Sequence, residues 1–223
     1  LLLFGPPGCG KTMIVKAAAN ELNANFLTIS GSELMKGKDR NPASYVKEVF
    51  NRARESAPAL VFIDEIEALA PNRDEYRGGI LSELLQELDG VNELKNVMLI
   101  GATNKPSALD SAILRPGRFD KIIYIPPPDA PSRKQIFTVN LAKFLKNVNL
   151  EKLASVTDGF SGADIASVCQ EVKMQLVRDK LKGKTPALAT EEVMRVISSR
   201  RPSITQKDLG EYETFRQEYG ERK

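Results

Sequence analysis

The sequence predicts an α/β fold, in which a parallel five-stranded sheet with helices on both faces precedes a smaller, all-helical lid subdomain. Short apolar runs of strand length alternate with segments whose apolar residues recur at helical spacing. The runs are apolar throughout, as is typical of strands buried on both faces of a parallel sheet. After "PPPDAP", residues 126–131, no further run of this kind occurs, and helical patterns continue to the end.

Five strands and four helices make up the predicted core. The strands are expected at Leu1–Phe4, Phe26–Ile29, Ala59–Ile63, Val97–Ala102 and Lys121–Ile125. The helices are expected at Lys11–Leu22, Tyr45–Glu55, Ile80–Leu88 and Ser107–Leu114. This order predicts a core over residues 1–126, a proline-rich linker over 127–131, and a helical lid with a C-terminal helix over 132–223.

Two helix starts in the predicted lid carry the pattern S/T-x-x-D. They are Ser161 with Asp164 and Thr205 with Asp208. In this pattern each of the two side chains can bond the backbone N–H of the other residue. The segment "KGKTPALAT", residues 182–190, is expected to form a loop.

Composition excludes several kinds of chemistry and partner. The formal charge of +3 is too small to argue for nucleic acid or an anionic membrane, so neither is expected as a partner. Histidine is absent, which removes imidazole catalysis and histidine-ligated metals. The two cysteines, Cys9 and Cys169, have no metal-type spacing and suggest a cytoplasmic or other reducing compartment. No apolar run is long enough for a membrane-spanning helix, and no signal peptide is recognised.

The segment "GPPGCGKT", residues 5–12, follows the first predicted strand and opens the first predicted helix. It matches G-x-x-x-x-G-K-[ST], the phosphate-binding loop of nucleotide hydrolases, in the required strand and helix context. Gly8 and Gly10 allow the backbone N–H groups to turn inward around an anion. Lys11 would neutralise the β and γ phosphates, and Thr12 would give its hydroxyl oxygen to Mg²⁺. Cys9 would make backbone contacts alone.

Polar side chains end the next two core strands. Asp64 and Glu65 follow "ALVFI", and Asn104 follows "VMLIGAT". Carboxyl ends of parallel strands are where open α/β sheets bind ligands. We expect Asp64 to hold Mg²⁺, Glu65 to accept a proton from an attacking water, and Asn104 to bond the γ phosphate and that water. The plainer alternatives are acids that begin a helix and an asparagine that forms a turn.

Two arginines flank a Pro-Gly turn in "ILRPGRFD", residues 113–120. Taken alone, Arg115 and Arg118 fit a solvated turn in which one arginine pairs with Asp110 or Asp120.

Together, "GPPGCGKT", "LVFIDE", "GATNKPSALDSAILRPGRFD" and "GFSGAD" resemble the AAA family of ATPases, and most closely its valosin-containing-protein-like branch. The resemblance covers nearly the whole chain. It implies that Arg115 and Arg118 are arginine fingers, which reach the γ phosphate bound by the neighbouring subunit of a ring, six-membered in that family. It also implies nucleotide contacts by the residues that match the family's motifs, which are Pro7, Gly8, Cys9, Gly10, Lys11, Thr12, Met13, Gly162 and Ala163.

Several features depart from that family or suggest a fragment. Asn140 stands where the family commonly has a nucleotide-contacting histidine, and an asparagine keeps a hydrogen bond without the charge. Lys38, Asp39 and Arg40 stand where the axial pore loop usually carries an aromatic, an aliphatic and a glycine. The sequence starts inside the first predicted strand, so we expect the segment that completes the adenine pocket to be missing. The ending resembles the tail that follows the last ATPase domain of that branch.

The favoured interpretation is an ATP hydrolase that uses ATP and Mg²⁺ in a ring to remodel or unfold proteins. A nucleotide-switched assembly module with little turnover is one alternative, and Glu65 argues against it because a module that only binds needs no base. A DNA-remodelling relative is another, which the near-neutral charge disfavours. A small-molecule P-loop kinase would not ordinarily carry "RPGRFD" followed by a lid with "GFSGAD".

Overall fold

The computed structural model of the chain describes residues 1–36, 41–70, 78–89, 95–183 and 188–220. These residues divide into two compact units. The first comprises Leu1–Gly5, Lys11–Ile125 and the residues from Gly210 on, and the second comprises Pro6–Gly10 and Pro126–Leu209. In the part of the chain that the structure describes, no helix is long and apolar enough to cross a membrane.

The first unit contains a parallel sheet whose described strands appear in the order β2-β3-β4-β1-β5. The strands are β1 (Leu2–Phe4), β2 (Asn25–Ser30), β3 (Ala59–Asp64), β4 (Val97–Thr103) and β5 (Ile122–Tyr124). Each overlaps a strand predicted from the sequence, and the predicted α/β fold is confirmed. Because β3, β4 and β1 are neighbours in parallel register, the residues that follow them meet at one edge of the sheet.

Helices cover both faces of this sheet, as predicted. Helix α1 (Lys11–Glu21) packs with Leu60 and Phe62 of β3 on one face. Helices α3 (Pro42–Glu55) and α4 (Gly78–Leu88) pack with Val61 and Ile63 of β3 on the other. The alternation along β3 follows from the twofold side-chain period of a strand. Both faces of the strand are therefore buried, which explains its uninterrupted apolar sequence.

The predicted helix over Ser107–Leu114 is wrong. Its only helical turn is a 3₁₀ turn at Pro106–Ala108, and residues 111–114 form further turns. Asp110 is the reason, because its side chain accepts a hydrogen bond from Ala112 N at 2.8 Å while its own backbone N–H donates to Ala70 O at 3.0 Å. A short polar side chain that bonds the nearby backbone competes with helix formation. Conversely, the short helix α2 (Gly31–Lys36) is not among the predicted elements.

The described part of the second unit is helical, with no strand. Its helices are α5 (Ala130–Leu141), α6 (Leu150–Ser155), α7 (Gly162–Leu181) and α8 (Thr190–Ser198). They enclose a core of their own, formed by residues that include Phe137, Leu153, Ile165 and Val193. The predicted all-helical character of this region agrees with the structure.

Both predicted capping pairs form. Ser161 and Asp164 make the reciprocal bonds of a capping box at the start of α7. Thr205 and Asp208 do the same at the start of α9 (Gln206–Tyr219). The residues of α9 from Gly210 on group with the sheet, whereas the predicted boundaries assign all of α9 to the lid.

Candidate active site

Glycines shape the loop between β1 and α1. Gly5, Gly8 and Gly10 have φ values of 149°, 73° and 95°, a region that L-residues rarely adopt. At Gly8 a Cβ would also lie 2.8 Å from the Cβ of Ala163 and 2.9 Å from Ser161 Oγ. The Gly8 carbonyl accepts a hydrogen bond from Ala163 N at 3.1 Å. Any side chain at Gly8 would therefore displace the loop from the start of α7.

Lys11 and Thr12 begin α1 directly after this loop. The Lys11 side chain is buried, and its Nζ donates to Gly5 O at 2.7 Å. A buried ammonium at the N-terminal end of a helix, where backbone N–H groups also lack helical acceptors, is a site that favours an anion. Cys9 Sγ lies 3.7 Å from Pro7 O, and the Met13 side chain is 76% exposed. Neither side chain adds a charge to this site.

Thr12 and Asp64 bring two oxygen ligands together. The Thr12 hydroxyl donates to Asp64 Oδ2 at 2.8 Å, and Asp64 Oδ1 accepts from Glu65 N at 3.0 Å. One hydroxyl and one carboxylate fit Mg²⁺, which usually binds one or two protein oxygens and takes its remaining ligands from phosphates and water. Among the described residues, no group of three or more acidic or cysteine side chains could form a cage for a metal ion. The predicted pair Thr12 and Asp64 therefore suits a cation shared with a bound nucleotide.

Glu65 has an unusual backbone conformation. Its φ of 52° and ψ of 48° place it in the left-handed region, directly after β3 and before a 3₁₀ turn. For a residue with a side chain this conformation is strained, and such strain is concentrated at functional sites. The carbonyl of Glu65 is also closely packed, since a Cβ on Gly31 would lie 2.4 Å from it. The fold thus holds Glu65 in a conformation that the residue would not adopt freely.

Asn104 follows β4, the strand between β3 and β1. Its backbone carbonyl accepts a hydrogen bond of 2.5 Å from the hydroxyl of Tyr212 on α9. The next backbone N–H, that of Lys105, donates to Thr103 Oγ1 at 3.0 Å. Asn104 therefore stands at the sheet edge where Asp64 and Glu65 also end their strand, as predicted from the sequence.

The two arginines of the Pro-Gly turn, Arg115 and Arg118, differ in their exposure and in their bonding partners. Arg118 forms two hydrogen bonds with the carboxylate of Asp89, from Nε at 2.6 Å and from Nη2 at 2.9 Å, and a third with Ala112 O. The hydrogen bond to Asp89 raises the pKa of Arg118 and the same bond lowers that of Asp89. Arg115 is exposed, and its side chain makes no hydrogen bond or ion pair with the described part of the chain. The ion-pair partner is thus Asp89 rather than Asp110 or Asp120.

Comparison with known proteins decides the family. A family model described as "ATPase family associated with various cellular activities (AAA)" matches residues 1–127. The chain belongs to the AAA family of ATPases. A second model, for the AAA+ lid domain, matches residues 147–192 of this AAA chain. The family and the fold predicted from the sequence are confirmed.

A relative of this AAA domain is the "Cell division cycle protein 48 homolog" of Archaeoglobus fulgidus, which is 43% identical over 98% of the chain. This similarity agrees with the predicted valosin-containing-protein-like branch. The chain spans 32% of the length of that relative.

The second unit of the AAA domain contains a cavity of about 330 Å³ that includes two of the predicted nucleotide contacts. Cys9 and Gly162 line it together with Ile136, Asp129 and prolines of the linker. Asn140, on the same helix as Ile136, uses its side-chain Nδ2 to donate to Ile136 O at 2.9 Å. The Asn140 amide nitrogen is thus bonded within its own helix.

Three residues singled out from the sequence are not among the residues that the structure describes. Lys38, Asp39 and Arg40, the departures in the pore loop, lie outside the described residues. Asp89 and Tyr212 were not foreseen as parts of the site. Asp89 directly follows α4 and belongs to none of the motifs recognised in the sequence. The spacing of Tyr212 and Phe215 on the last helix indicates a buried face, but the position of that face against β1 and β5 depends on tertiary structure.

Proposed function

We propose that this AAA domain hydrolyses ATP at a site completed by a neighbouring copy of the chain in a ring, and that the energy is used to remodel or unfold proteins. One observation carries the proposal. The Thr12–Asp64 hydrogen bond joins the phosphate loop to the end of β3, and Glu65 directly follows that strand, so cation ligands and a candidate base occur side by side. A site that only binds nucleotide has no need of a base in that position.

Phosphate binding is assigned to residues Pro7–Met13. The positive φ of Gly8 and Gly10 allows consecutive N–H groups to face an anion, and the helix N-terminus adds its partial positive charge. Lys11, now bonded to Gly5 O, has its ammonium close to the same backbone and would exchange that carbonyl for phosphate oxygens. The Gly162 and Ala163 region is assigned contacts with the nucleotide, as the resemblance implies.

Thr12 and Asp64 are the residues that would hold Mg²⁺. When bound there, the ion neutralises negative charge on the phosphate oxygens. Asp64 also accepts the N–H of Glu65, which restricts the rotation of its carboxylate and orients it toward Thr12. The protein thereby fixes both ligands before any nucleotide arrives.

Glu65 is assigned the role of general base. Its carboxylate takes a proton from the water that attacks the γ phosphate. Its left-handed backbone conformation fixes the direction in which the side chain leaves the Cα atom. Asn104 is assigned the orientation of this water and of the γ phosphate through its side-chain amide. Both residues follow strands that lie next to each other in the sheet.

Arg115 is assigned to the neighbouring subunit's site. Positive charge supplied in trans accelerates phosphoryl transfer by roughly 10³ to 10⁵ where arginine fingers act. Arg115 is exposed, whereas Arg118 is held by Asp89 and Ala112 of its own chain. We therefore assign the reaching role to Arg115 and a supporting role for the turn to Arg118. A polypeptide fits as the substrate better than nucleic acid, given the formal charge of +3.

Glu65→Gln tests the chemistry. We expect this variant to bind ATP like the wild type while kcat falls by about 10² to 10⁴, the usual contribution of a general base. Lys11→Ala should lose ATP binding itself. Glu55→Gln, the same replacement at an exposed position in α3, should change neither property. Nucleotide binding by calorimetry and phosphate release separate these outcomes.

Unchanged turnover in Glu65→Gln would show that Glu65 is not the general base. If the wild-type assembly binds ATP but releases phosphate at the background rate, the protein is a nucleotide-switched assembly module instead.

A further inference from the structure

The C-terminal part of α9 packs against the edge of the sheet formed by β1 and β5. The ring of Phe215 lies edge-on to Phe4, with centroids 4.9 Å apart, and the ring of Tyr212 is stacked on Tyr124 at 6.2 Å. Tyr212 and Phe215 are both 7% exposed. Two buried aromatic side chains thus fix this part of the helix on the sheet, and the position of the Tyr212 ring is set by packing.

The hydroxyl group of Tyr212 has a specific partner in the site. It donates to the backbone carbonyl of Asn104 at 2.5 Å, across 108 residues of sequence. The N–H of the same peptide group, which belongs to Lys105, donates to Thr103 Oγ1 at 3.0 Å, and Thr103 is 1% exposed. Both polar atoms of the peptide group between Asn104 and Lys105 are therefore bonded.

A peptide group that is bonded at both ends cannot rotate freely. Its orientation determines ψ of Asn104, because that torsion relates the peptide plane to the Cα that carries the amide side chain. Asparagine adopts turn and left-handed conformations more readily than most residues, so an unrestrained Asn104 would sample several directions. Loss of the Tyr212 bond would release one end of the restraint without removing any group from the site.

We propose that Tyr212 is a positioning residue for ATP hydrolysis, which holds Asn104 through its phenolic hydroxyl so that the amide is oriented before the nucleotide binds. This inference rests on the role proposed for Asn104 above. A buried donor placed behind a catalytic side chain reduces the reorganisation needed to reach the reactive arrangement. The C-terminal helix thereby contributes to the rate although none of its residues takes part in the reaction.

Tyr212→Phe removes the hydroxyl and keeps the ring. In the assembled protein we expect kcat to fall about three- to tenfold, the change that the net free energy of one hydrogen bond would produce. KM for ATP should stay near its wild-type value, because the loop residues are unchanged. The Tm should fall by only about 2 to 4 °C, the effect of losing one hydrogen bond while the aromatic packing is kept. Tyr219→Phe is the matched control, since Tyr219 lies on the same helix and its ring lies tilted against that of Phe215, with centroids 4.8 Å apart. Its kcat should equal that of the wild type.

A double-mutant cycle with Asn104→Ala separates positioning from general support of the fold. If Tyr212 acts through Asn104, adding Tyr212→Phe to Asn104→Ala should lower kcat no further. A multiplicative loss in the double variant, or an equal loss in Tyr219→Phe, would overturn the inference. If Asn104→Ala keeps the wild-type kcat, Asn104 does not orient the attacking water or the γ phosphate. A lowered kcat in Asn104→Ala together with an unchanged kcat in Tyr212→Phe would leave that role intact and refute the role of Tyr212.

Discussion

Glu65 combines a strained backbone conformation with the catalytic role that we propose for it. Its left-handed φ of 52° follows a strand whose last residue, Asp64, must face Thr12. The left-handed conformation of Glu65 turns the chain directly after Asp64, where the buried strand β3 ends. A glycine would turn there without strain, but a glycine carries no base. The strained conformation therefore supports the role of general base that we propose for Glu65.

A comparison of Glu65→Gly with Glu65→Ala measures this strain. Both variants lack the carboxylate and should lose turnover alike. A side chain costs about 1 kcal/mol or more in the left-handed region, so the free energy of unfolding should be higher for Glu65→Gly than for Glu65→Ala by about that amount. Chemical denaturation measures the difference. An alanine variant as stable as the glycine variant would show that the backbone of Glu65 is not strained.

At the scale of elements, the start of α7 is held by a cluster of hydrogen bonds. Asp164 Oδ2 accepts from Ser161 N at 2.8 Å and from the Ser203 hydroxyl at 2.5 Å. Burial opposes ionisation of Asp164, but the bonds from Ser203 and Ser161 outweigh it and lower its pKa below the ordinary value of 3.8. The same Ser161 side chain lies against Gly8, so the cap also supports the phosphate loop.

The stability contributed by Asp164 should depend on pH. Since its pKa is lower in the folded chain, its contribution is complete well above pH 3.8 and is lost as the pH falls through the lowered folded-state pKa. Asp164→Asn should reduce the free energy of unfolding by about 1 kcal/mol near neutral pH. The difference from wild type should shrink as the pH falls below 3.8.

Denaturant titrations at several pH values measure this difference. Glu55→Gln, the exposed carboxylate of α3, is the control. A difference between wild type and Asp164→Asn that is constant from neutral pH to below pH 3.8 would contradict the assignment.

Elements whose signal is local were predictable from the sequence. The apolar run of β3, the glycines of the phosphate loop and the pairs Ser161–Asp164 and Thr205–Asp208 each specify their own conformation within a few residues. The helix predicted over Ser107–Leu114 failed because Asp110 bonds Ala112 and Ala70 instead of continuing the helix. The local sequence pattern does not show whether such a side-chain hydrogen bond outweighs the helix propensity of the segment.

Contacts between distant segments were not predictable. The sequence indicates that Arg118 needs an anionic partner, but Asp89 lies on another element, 29 residues away. Likewise, the helical spacing of Tyr212 and Phe215 indicates a buried face without indicating that its hydroxyl reaches Asn104, 108 residues away. The residue types of the site can therefore be read from the sequence, whereas the groups that orient them depend on the fold.

At the scale of the whole molecule, the different environments of Arg115 and Arg118 support the proposed site shared between neighbouring chains. Arg118 is bound to Asp89 within its own chain, whereas Arg115 is exposed beside it on the same turn. An exposed arginine can reach a phosphate on an adjacent copy, and a ring supplies such a neighbour for every site. ATPase activity per chain should then rise with protein concentration as rings assemble.

The most direct test is the ATPase rate of a 1:1 mixture of Lys11→Ala and Arg115→Ala chains, each of which should be nearly inactive alone. In random rings about a quarter of the sites pair an intact nucleotide site with an intact arginine from its neighbour, so the mixture should regain about a quarter of the wild-type rate. A mixture of Lys11→Ala with Glu65→Gln should regain nothing, because both changes affect the same subunit's site. We expect recovery in the first mixture only. A first mixture that forms mixed rings yet stays as inactive as its components would contradict it.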